Sequence, residues 1–444
     1  MVILIKAAQL ILSLSILVII HEFGHFIFSK AFKCRVEKFY LFFDPWFSLF
    51  KFQKGETEYG IGWLPLGGYV KISGMIDESM DKEQMKLPPE PWEFRSKPSW
   101  QRLIIMIGGV LFNLILAVVL YSAVLFVWGD QYIPTKNAKY GIAVSETGKE
   151  MGLRNGDKIV SVDGKEVEDF NKIVSVIILN GAKTIEVQRN EEPVTVQVKN
   201  EIIPKLLKDR YIIGLRIPYA CKVVGFAKDS PARDAGMEIG DEIMTVNGAS
   251  FQFYDQFTDT LVASKGKVLA LLVKRGGVEK TFQVKIKKEG VLGIQREYNL
   301  VGLFEFKTIS YGFFESIPAG ISKGYYAVGN YLKQFKLLFA PETKAYESLG
   351  GFIAIGNIFP SVWDWESFWN LTAFLSIILA VMNILPIPAL DGGHVLFLLF
   401  EMITGRKPSD KFLEYAQIVG MVILFSLLIY ANGNDLLKWY TGKF

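Results

Sequence analysis

Long apolar runs interrupt an otherwise ordinary mixture of polar and apolar residues along the chain. The first run, residues 2–32, is long enough to cross a hydrocarbon core about 30 Å thick as a helix that rises about 1.5 Å per residue. Further apolar runs lie at residues 103–128, 368–384 and 418–430. Together they predict a polytopic α-helical membrane protein with four transmembrane helices.

Basic residues gather in three of the segments that border these runs. The clusters are Lys30, Lys33, Arg35 and Lys38 after the first run, Arg95, Lys97 and Arg102 before the second, and Arg406, Lys407 and Lys411 between the last two. Positively charged loops are retained in the cytoplasm. Both termini and the long segment from about residue 129 to 365 are therefore expected outside, which is the periplasm if the chain lies in a bacterial inner membrane.

The composition favours a membrane protein and argues against nucleic-acid binding. Hydrophobic residues make up 50% of the chain, and the formal net charge is only +4. The basic residues do not form the cationic stripe that nucleic-acid binding requires. Cys34 and Cys221 are predicted on opposite sides of the membrane, which excludes an intramolecular disulfide and a cysteine-based metal cluster.

The long outside segment contains an internal repeat. Residues 152–164 read GLRNGDKIVSVDG, and residues 236–248 read GMEIGDEIMTVNG. In each copy a Gly-Asp turn leads into an alternating strand that ends in Asp-Gly or Asn-Gly, the strongest short signal for a hairpin. The pattern resembles the PDZ family in the tandem arrangement common to bacterial proteases, and the second copy adds Ser230-Pro231-Ala232 before its helix.

This resemblance implies two periplasmic PDZ-like α+β domains, at residues 129–219 and 220–306, inserted between transmembrane helices 2 and 3. Such a domain usually binds an extended peptide at the edge of a sheet. The alternative is that the pair is a spacer or a steric gate that binds no ligand. Beyond it, apolar residues at helical spacing over residues 311–339 predict one or two helices on the outer membrane surface, within a linker at residues 307–364.

The first run carries a pattern with the chemistry of a metal site, His21-Glu22-Phe23-Gly24-His25. Histidines four residues apart lie on one face of a helix, so both imidazoles can reach one zinc ion while Glu22 takes a proton from water. Inside a membrane a charged group costs on the order of 2.5–3.5 kcal/mol and is seldom kept without a function. The alternative is a proton relay or a polar contact between helices.

A third ligand is predicted in a broken part of the third run, where residues 383–394 read NILPIPALDGGH. Pro386 and Pro388 remove backbone donors and break the helix, so the freed backbone groups must be satisfied inside the protein or in a wet cavity. Asp391 would complete a His-His-Asp site with one open tetrahedral position. His394 could share a helical face with Asp391, but it is expected to support the site or the fold.

Together these features resemble the site-2 protease family of intramembrane zinc metalloproteases, and especially its bacterial regulator-of-sigma-E protease branch. The resemblance rests on the HExxH pattern, on the Asn-x-x-Pro-x-Pro-x-Leu-Asp-Gly segment and on the PDZ-like modules between them, and it covers essentially the whole chain. Residues 56–71 are similar to that family's membrane-associated hairpin. Phe112-Asn113 resembles its second-span motif.

The resemblance implies that His21, His25 and Asp391 bind Zn²⁺ and that Glu22 is the general base, in agreement with the roles inferred from the residues. Asn383 is a candidate for binding the substrate backbone or the developing oxyanion, or alternatively for capping the broken helix. The resemblance therefore implies that the chain is a zinc metalloendopeptidase with Zn²⁺ as its cofactor.

A helical substrate must be unwound before its peptide bonds can react. Residues 47–70 contain strand-like stretches around Gln53-Lys54-Gly55, which predicts a cytoplasmic hairpin whose exposed edge pairs with the substrate. Gly67 and Gly68 would let the substrate backbone approach closely. The alternative is that the hairpin only packs against the first run.

The predicted function is cleavage of the transmembrane segments of single-pass proteins within the lipid bilayer. The resemblance suggests an anti-sigma factor already trimmed by another protease, and also remnant signal peptides. The alternatives are an inactive PDZ scaffold or membrane chaperone and a metal or proton transporter, which would need polar groups spread over several spans. The catalytic residues would come from residues 1–128, which hold helices 1 and 2 and the hairpin, and residues 365–444, which hold helices 3 and 4.

Overall fold

The structure, a computed structural model, describes residues 1–75, 88–209, 211–297, 300 and 302–441. It contains two compact units. We call them the membrane unit, which comprises Met1–Asp130, Ser310–Lys336 and Tyr346–Phe444, and the inserted unit, which comprises Gln131–Ile309 and Leu337–Ala345. The domain ranges given by the sequence remain predictions, because this division does not separate one repeat from the other.

Helices dominate the membrane unit, and short strands and helices make up the inserted unit. The helices are α1 (Val2–Ala31), α2 (Ser99–Val127), α3 (Glu146–Glu150), α4 (Ile173–Asn180), α5 (Ile203–Lys208), α6 (Pro231–Asp234), α7 (Tyr254–Ala263), α8 (Phe313–Leu338), α9 (Phe352–Ile358), α10 (Trp365–Asn383), α11 (Asp391–Thr404) and α12 (Asp410–Tyr440). The strands are β1 (Val36–Lys54), β2 (Thr57–Ile72), β3 (Asp130–Tyr132), β4 (Ile142–Val144), β5 (Lys158–Val162), β6 (Thr184–Arg189), β7 (Glu192–Gln197), β8 (Ile213–Leu215), β9 (Val223–Phe226), β10 (Glu242–Val246), β11 (Val268–Arg275), β12 (Val278–Lys285), β13 (Ile294–Arg296) and β14 (Lys307–Ile309).

Among the residues that the structure describes, four helices, α1, α2, α10 and α12, are long and apolar enough to cross a membrane, in agreement with the four predicted apolar runs. The helix α12 is much longer than the predicted run at residues 418–430. It begins with polar turns that the apolar pattern does not mark, and the Ser409 side chain caps it by accepting a hydrogen bond from the Phe412 N–H.

Glycines bring the backbones of α1 and α2 into direct contact. A Cβ added to Gly108 would lie 2.6 Å from the Gly24 carbonyl oxygen, and one added to Gly24 would overlap the Gly108 carbonyl. Small residues allow membrane helices to approach this closely. Because Gly24 lies between the two histidines of the predicted metal site, the contact places the α2 backbone directly beside them.

The predicted hairpin is present, but its strands are longer than residues 47–70. The turn at Gly55 joins β1 to β2, which pair antiparallel. The sheet curls so that Phe39 of β1 pairs with both Val70 and Tyr59 of β2. Among the strands that the structure describes, the end of β2 near Val70 pairs only with β1, so its other edge is open.

The segment predicted to form helices at residues 311–339 is one continuous helix, α8. It packs against α2 through small residues, since a Cβ on Gly324 would lie 3.5 Å from Val118 and Gly320 faces Ser122. Aromatic residues such as Phe314 and Tyr325 cover much of its other face and are exposed. Its placement on the outer membrane surface stays a prediction.

The two repeats within the inserted unit share one topology. In each, an antiparallel three-stranded sheet, β5-β6-β7 or β10-β11-β12, accompanies an antiparallel pair, β4-β8 or β9-β13. The predicted turns are also matched, because Asp163-Gly164 and Asn247-Gly248 all have positive φ. The sequence repeat therefore corresponds to a structural repeat.

The aspartate of each Gly-Asp motif is buried and binds an arginine of the same repeat. Arg189 donates two 2.8 Å hydrogen bonds to Asp157, and Arg275 donates bonds of 2.7 and 2.8 Å to Asp241. Burial alone would raise the pKa of Asp241, but hydrogen bonds from Arg275 and the Glu238 amide hold it below its ordinary value. The motif thus ties a turn to the neighbouring hairpin.

Each repeat has its own apolar core, and the chain after the second repeat returns to the first. Ile142, Ile173 and Ile185 are among the residues at the centre of the first core. Phe304, which lies in the range predicted for the second module, is buried in this first core, with Leu303 packed against it. The last residues before the membrane unit therefore stabilise the first repeat.

Both cysteines are free. Cys34 lies in the membrane unit and Cys221 in the second core of the inserted unit, and both are buried. Burial raises the pKa of the Cys221 thiol to about 12. A thiol with such a pKa is protonated at neutral pH, so Cys221 acts as a small core residue.

Candidate metal centre

The two histidines of the HExxH pattern lie on one buried face of α1. His21 and His25 are only 8% and 7% exposed, and their Nε2 atoms are 3.3 Å apart. The His25 Nδ1 lies 2.9 Å from the carbonyl oxygen of Ile105 on α2. A proton on Nδ1 would bond to that carbonyl and leave Nε2 with a free lone pair.

The predicted break in the third run separates α10 from α11. Asn383 is the last residue of α10, and Asp391 is the first residue of α11. The Asp391 Oδ2 atom lies 3.2 Å from the His21 Nε2 and 3.4 Å from the His25 Nε2. This oxygen is buried and has no hydrogen-bond partner among the residues that the structure describes.

These three atoms have the spacing that a zinc ion requires. Tetrahedral ligands about 2.0–2.1 Å from zinc lie about 3.3 Å from one another. The sides of the triangle formed by the two Nε2 atoms and the Asp391 Oδ2 measure 3.2, 3.3 and 3.4 Å. The donor set, two imidazoles and a carboxylate, is also one found in catalytic zinc sites, where water takes the fourth position. The residues therefore fit the metal.

Glu22 faces the open edge of β2. Its carboxylate is within hydrogen-bonding reach of the Val70 backbone N–H. A Cβ added to Gly68 would lie 3.5 Å from the Glu22 Cγ and 2.6 Å from a methyl carbon of Val18, so β2 runs directly along α1. Gly67 packs against Phe43 instead. Of the two glycines proposed to contact substrate, only Gly68 lies against α1.

Two asparagines contact the His21 ring. The Asn113 Nδ2 is 3.2 Å from Nδ1 of His21, and the Asn383 Nδ2 is 3.2 Å from its Nε2. The Asn113 Oδ1 is buried and has no hydrogen-bond partner in the described part of the chain. Since the side-chain amide can be turned by a half-rotation, that oxygen can accept a proton held on Nδ1, which leaves Nε2 free for a metal. The sequence pointed to Asn113 only through a motif and gave no contact for it.

A glycine of α2 makes room for the imidazoles. A Cβ added to Gly109 would lie 2.5 Å from both the His25 Nε2 and the His21 Cε1. Any side chain at this position would therefore enter the space between the histidines and the α2 backbone. The sequence gave no sign of this role, because a glycine inside an apolar helix has many uses.

His394 does not join the cluster formed by the other two histidines and Asp391. It lies on α11 and lines a small cavity of about 60 Å³. The same cavity is lined by Arg102 and Glu401, which form an ion pair. His394 thus lines this cavity and is not one of the three clustered donors, and its role in supporting the site or the fold stays a prediction.

Comparison with known proteins adds to this geometry. The model of peptidase family M50 matches residues 9–427, a range that includes all the residues discussed above for the centre. The regulator of sigma E protease of Haemophilus influenzae is 26% identical, over 96% of this chain and 98% of its own length. Protease RseP of Yersinia pestis is 27% identical over 98% and 99%. A Neisseria meningitidis relative with the words zinc metalloprotease in its name is 27% identical over 96% and 98%.

Proposed function

The chain belongs to peptidase family M50 and is a zinc metalloprotease, and on that premise we propose that it cleaves transmembrane segments of single-pass membrane proteins inside the bilayer. The observation that carries this proposal is the triangle of donor atoms built from α1 and the α10–α11 break. Two of the three donors lie on α1 and the third follows the end of α10, and both of these helices are apolar enough to cross a membrane, which supports a centre within the bilayer. A substrate must then present its peptide bond there.

The proposed ligands are the His21 Nε2, the His25 Nε2 and the Asp391 Oδ2. A zinc ion bound to them would supply Lewis-acid activation of water and of the peptide carbonyl. The Ile105 carbonyl orients the His25 ring, and Asn113 does the same for His21. Such partners of the non-coordinating nitrogens fix the ring positions and the tautomers.

Glu22 is proposed as the general base. It follows His21 directly and lies beside the donor atoms, where it can accept a proton from the attacking water and deliver it to the leaving amine. The Val70 N–H within its reach holds the carboxylate toward β2. Asn383, at the end of α10, is proposed to donate to the substrate carbonyl, since its amide lies next to the His21 Nε2.

The open edge of β2 is the proposed docking place for the unwound substrate. An extended segment added along this edge would gain hydrogen bonds from the backbone groups that Glu22 does not use, and it would pass next to Glu22. Gly68 supports this role, because it lets β2 lie against α1 without a side chain between them. Gly67 is proposed to assist through its φ of +152°, which orients β2.

The biological setting is proposed from the charge pattern and the relatives. The basic clusters after α1 and between α11 and α12 support a cytoplasmic location for these loops, and the inserted unit is proposed to lie in the periplasm of a bacterium. The repeats of that unit are proposed to be PDZ-like domains that bind or exclude polypeptides. One relative is named a regulator of sigma E protease, so a pre-trimmed anti-sigma factor is the proposed substrate class, with remnant signal peptides as a second.

Replacing the proposed base tests the mechanism. Glu22→Gln and His21→Ala should both abolish cleavage of a co-expressed, tagged single-span peptide, and only His21→Ala should also reduce bound zinc. Glu366→Gln is a matched control, because Glu366 is an exposed residue in the first turn of α10. Fragment release that survives both substitutions would contradict the proposal and favour a scaffold or chaperone with an inactive centre.

A further inference from the structure

The segment that delivers Asp391 contains one residue in an unfavourable conformation. Ala389 has a φ of +78° although it is not glycine. A side chain with a Cβ adopts this region at a cost, so a positive φ persists only where the surroundings impose it. Ala389 lies two residues before Asp391, which makes the source of that constraint important for the metal centre.

The constraint comes from α12. Within the segment, the N–H groups of Ile384, Leu385, Ile387 and Leu390 donate to carbonyls of α10 or of the segment itself. The Ala389 N–H instead donates to the side-chain Oε1 of Gln417 on α12, over 3.1 Å. The strained residue Ala389 is therefore held by α12, the helix that follows α11 in the chain.

Gln417 is a buried polar residue of α12 that also lines the small cavity beside His394. It is 5% exposed, in a helix apolar enough to cross a membrane. A buried polar side chain in such a helix is costly unless it has a partner. Gly420, one turn further along α12, lies against the carbonyl of Pro388, where any Cβ would overlap that carbonyl. Gln417 and Gly420 thus form a two-point contact on either side of the Pro388–Ala389 bond.

We propose that Gln417 is a positioning residue for the protease reaction: with Gly420, it holds Ala389 in its strained conformation and so places the Asp391 carboxylate between His21 and His25. The inference rests on the proposed function, because it assumes that Asp391 binds the metal. It assigns α12, which contributes no donor atom to the described cluster, a part in setting the metal geometry.

The test uses the full-length protein purified in detergent and measures zinc affinity by chelator competition. Gln417→Leu removes the acceptor at nearly constant volume, so Ala389 can relax from its strained conformation. Zinc binding should then weaken on the order of tenfold, because binding would have to restore that conformation. Cobalt substitution gives a second readout, because the absorption spectrum of bound Co²⁺ reports the loss of the carboxylate ligand. Gln417→Glu retains an acceptor oxygen and should keep both near the native values.

A second substitution separates positioning from general packing. Glycine adopts a positive φ freely, so Ala389→Gly should restore most of the zinc affinity and the cobalt spectrum when it is combined with Gln417→Leu. Gln9→Leu is the matched control: Gln9 is also buried in a spanning helix and also bonds a backbone group, the Pro360 carbonyl, but away from the centre. It should leave zinc affinity unchanged.

The outcomes distinguish this inference from the proposed function. If the native protein binds no zinc, the proposed function fails. If the native protein binds zinc and Gln417→Leu binds it equally well, only the positioning role is refuted. If Gln417→Leu loses zinc and Ala389→Gly does not restore it, Gln417 acts through packing of α12, and the proposal is again refuted. Rescue by Ala389→Gly together with retention in Gln417→Glu supports it.

Discussion

The two halves of the proposed metal centre are built in different ways. On one side, His21 and His25 lie one turn apart on an unbroken helix, and the backbone of that helix sets their spacing. On the other side, Asp391 follows a segment with two prolines and a strained alanine, held in part by α12. One half is defined by local geometry and the other by contacts with a distant part of the chain.

Because of this difference, the two halves should be sensitive to different substitutions. The spacing of two side chains within one helix changes only if the helix unwinds or if a neighbour enters the space around the imidazoles. The position of Asp391, in contrast, changes when any support of its segment is lost. Substitutions should therefore act on the helical half only by direct contact and on the segment half also from a distance.

The largest effect is expected when a proposed zinc ligand is removed from either half, because both halves supply donors to the same ion. His25→Ala and Asp391→Ala each remove one of three donors, so the purified protein should lose zinc and kcat/KM should fall by on the order of a thousandfold or more. Elemental analysis and cleavage of a tagged single-span peptide measure the two effects. His394→Ala removes the third histidine and should keep its zinc. A full complement of zinc in either ligand variant would refute the assignment.

The second-largest effect is expected when a side chain enters the space beside the two histidines of the helical half. Gly109→Ala would place a methyl group 2.5 Å from the His25 Nε2, and relief of such overpacking should weaken zinc binding by roughly 10–100-fold. Chelator competition measures the affinity. The control is Gly329→Ala on α8, where an added Cβ meets no atom within 4 Å. Equal zinc affinity in both variants would show that α2 does not confine the imidazoles.

The two asparagines on His21 should have separable effects. Asn113→Ala removes the partner of the Nδ1 atom, so zinc affinity should fall by about 10-fold while the helix stays intact. Asn383→Ala removes a donor beside the Nε2 atom, so kcat should fall while zinc affinity stays near native. Titration of zinc and steady-state kinetics give the two values. If both variants lose zinc to the same extent, Asn383 is a support of the ring rather than a contact of the substrate.

The smallest effect is expected from a remote contact of the helical half. Ser13 lies two turns before His21 on α1 and accepts a 3.0 Å hydrogen bond from the Thr372 hydroxyl of α10. Ser13→Ala should lower stability by about 0.6 kcal/mol, the average for such a bond in a membrane, and leave zinc affinity unchanged. Thermal unfolding and chelator competition are the measurements. A large loss of zinc affinity in Ser13→Ala would contradict the prediction that only the segment half responds to remote substitutions such as Gln417→Leu.

Local patterns in the sequence predict much of this molecule. The apolar runs mark the four spanning helices, and the i to i+4 spacing marks the two imidazoles on one face of α1. The Pro386 and Pro388 pair marks the break before Asp391, because proline ends a helix for reasons contained in its own ring. In each case the physical cause lies within a few residues of its effect.

The features that the sequence does not predict depend on residues far apart in the chain. The contact of Gln417 with Ala389 and the fit of Gly109 against the histidines arise only when helices pack. Nothing within α12 distinguishes Gln417 from a polar residue that faces a neighbour at random. The arginine partners of Asp157 and Asp241 are hidden for the same reason, since each lies on a strand beyond the intervening helix.

Element boundaries fail in a related way. An apolar pattern finds the middle of α12 but not its capped, polar start at Asp410. It also places the start of the hairpin too late, because β1 already begins at Val36, directly after the turn that ends α1. Apolar content reports burial or lipid contact, whereas hydrogen bonds decide where an element starts and stops.

The order of the three donors along the chain also determines when the zinc site can form during synthesis. Roughly 370 residues separate His25 from Asp391, and a ribosome adding about 5–20 residues per second needs on the order of tens of seconds to make them. Throughout that interval the nascent chain contains His21, His25 and Glu22 but lacks Asp391. The protein should therefore be unable to cleave peptide bonds until the inserted unit and Asp391 have both been synthesised.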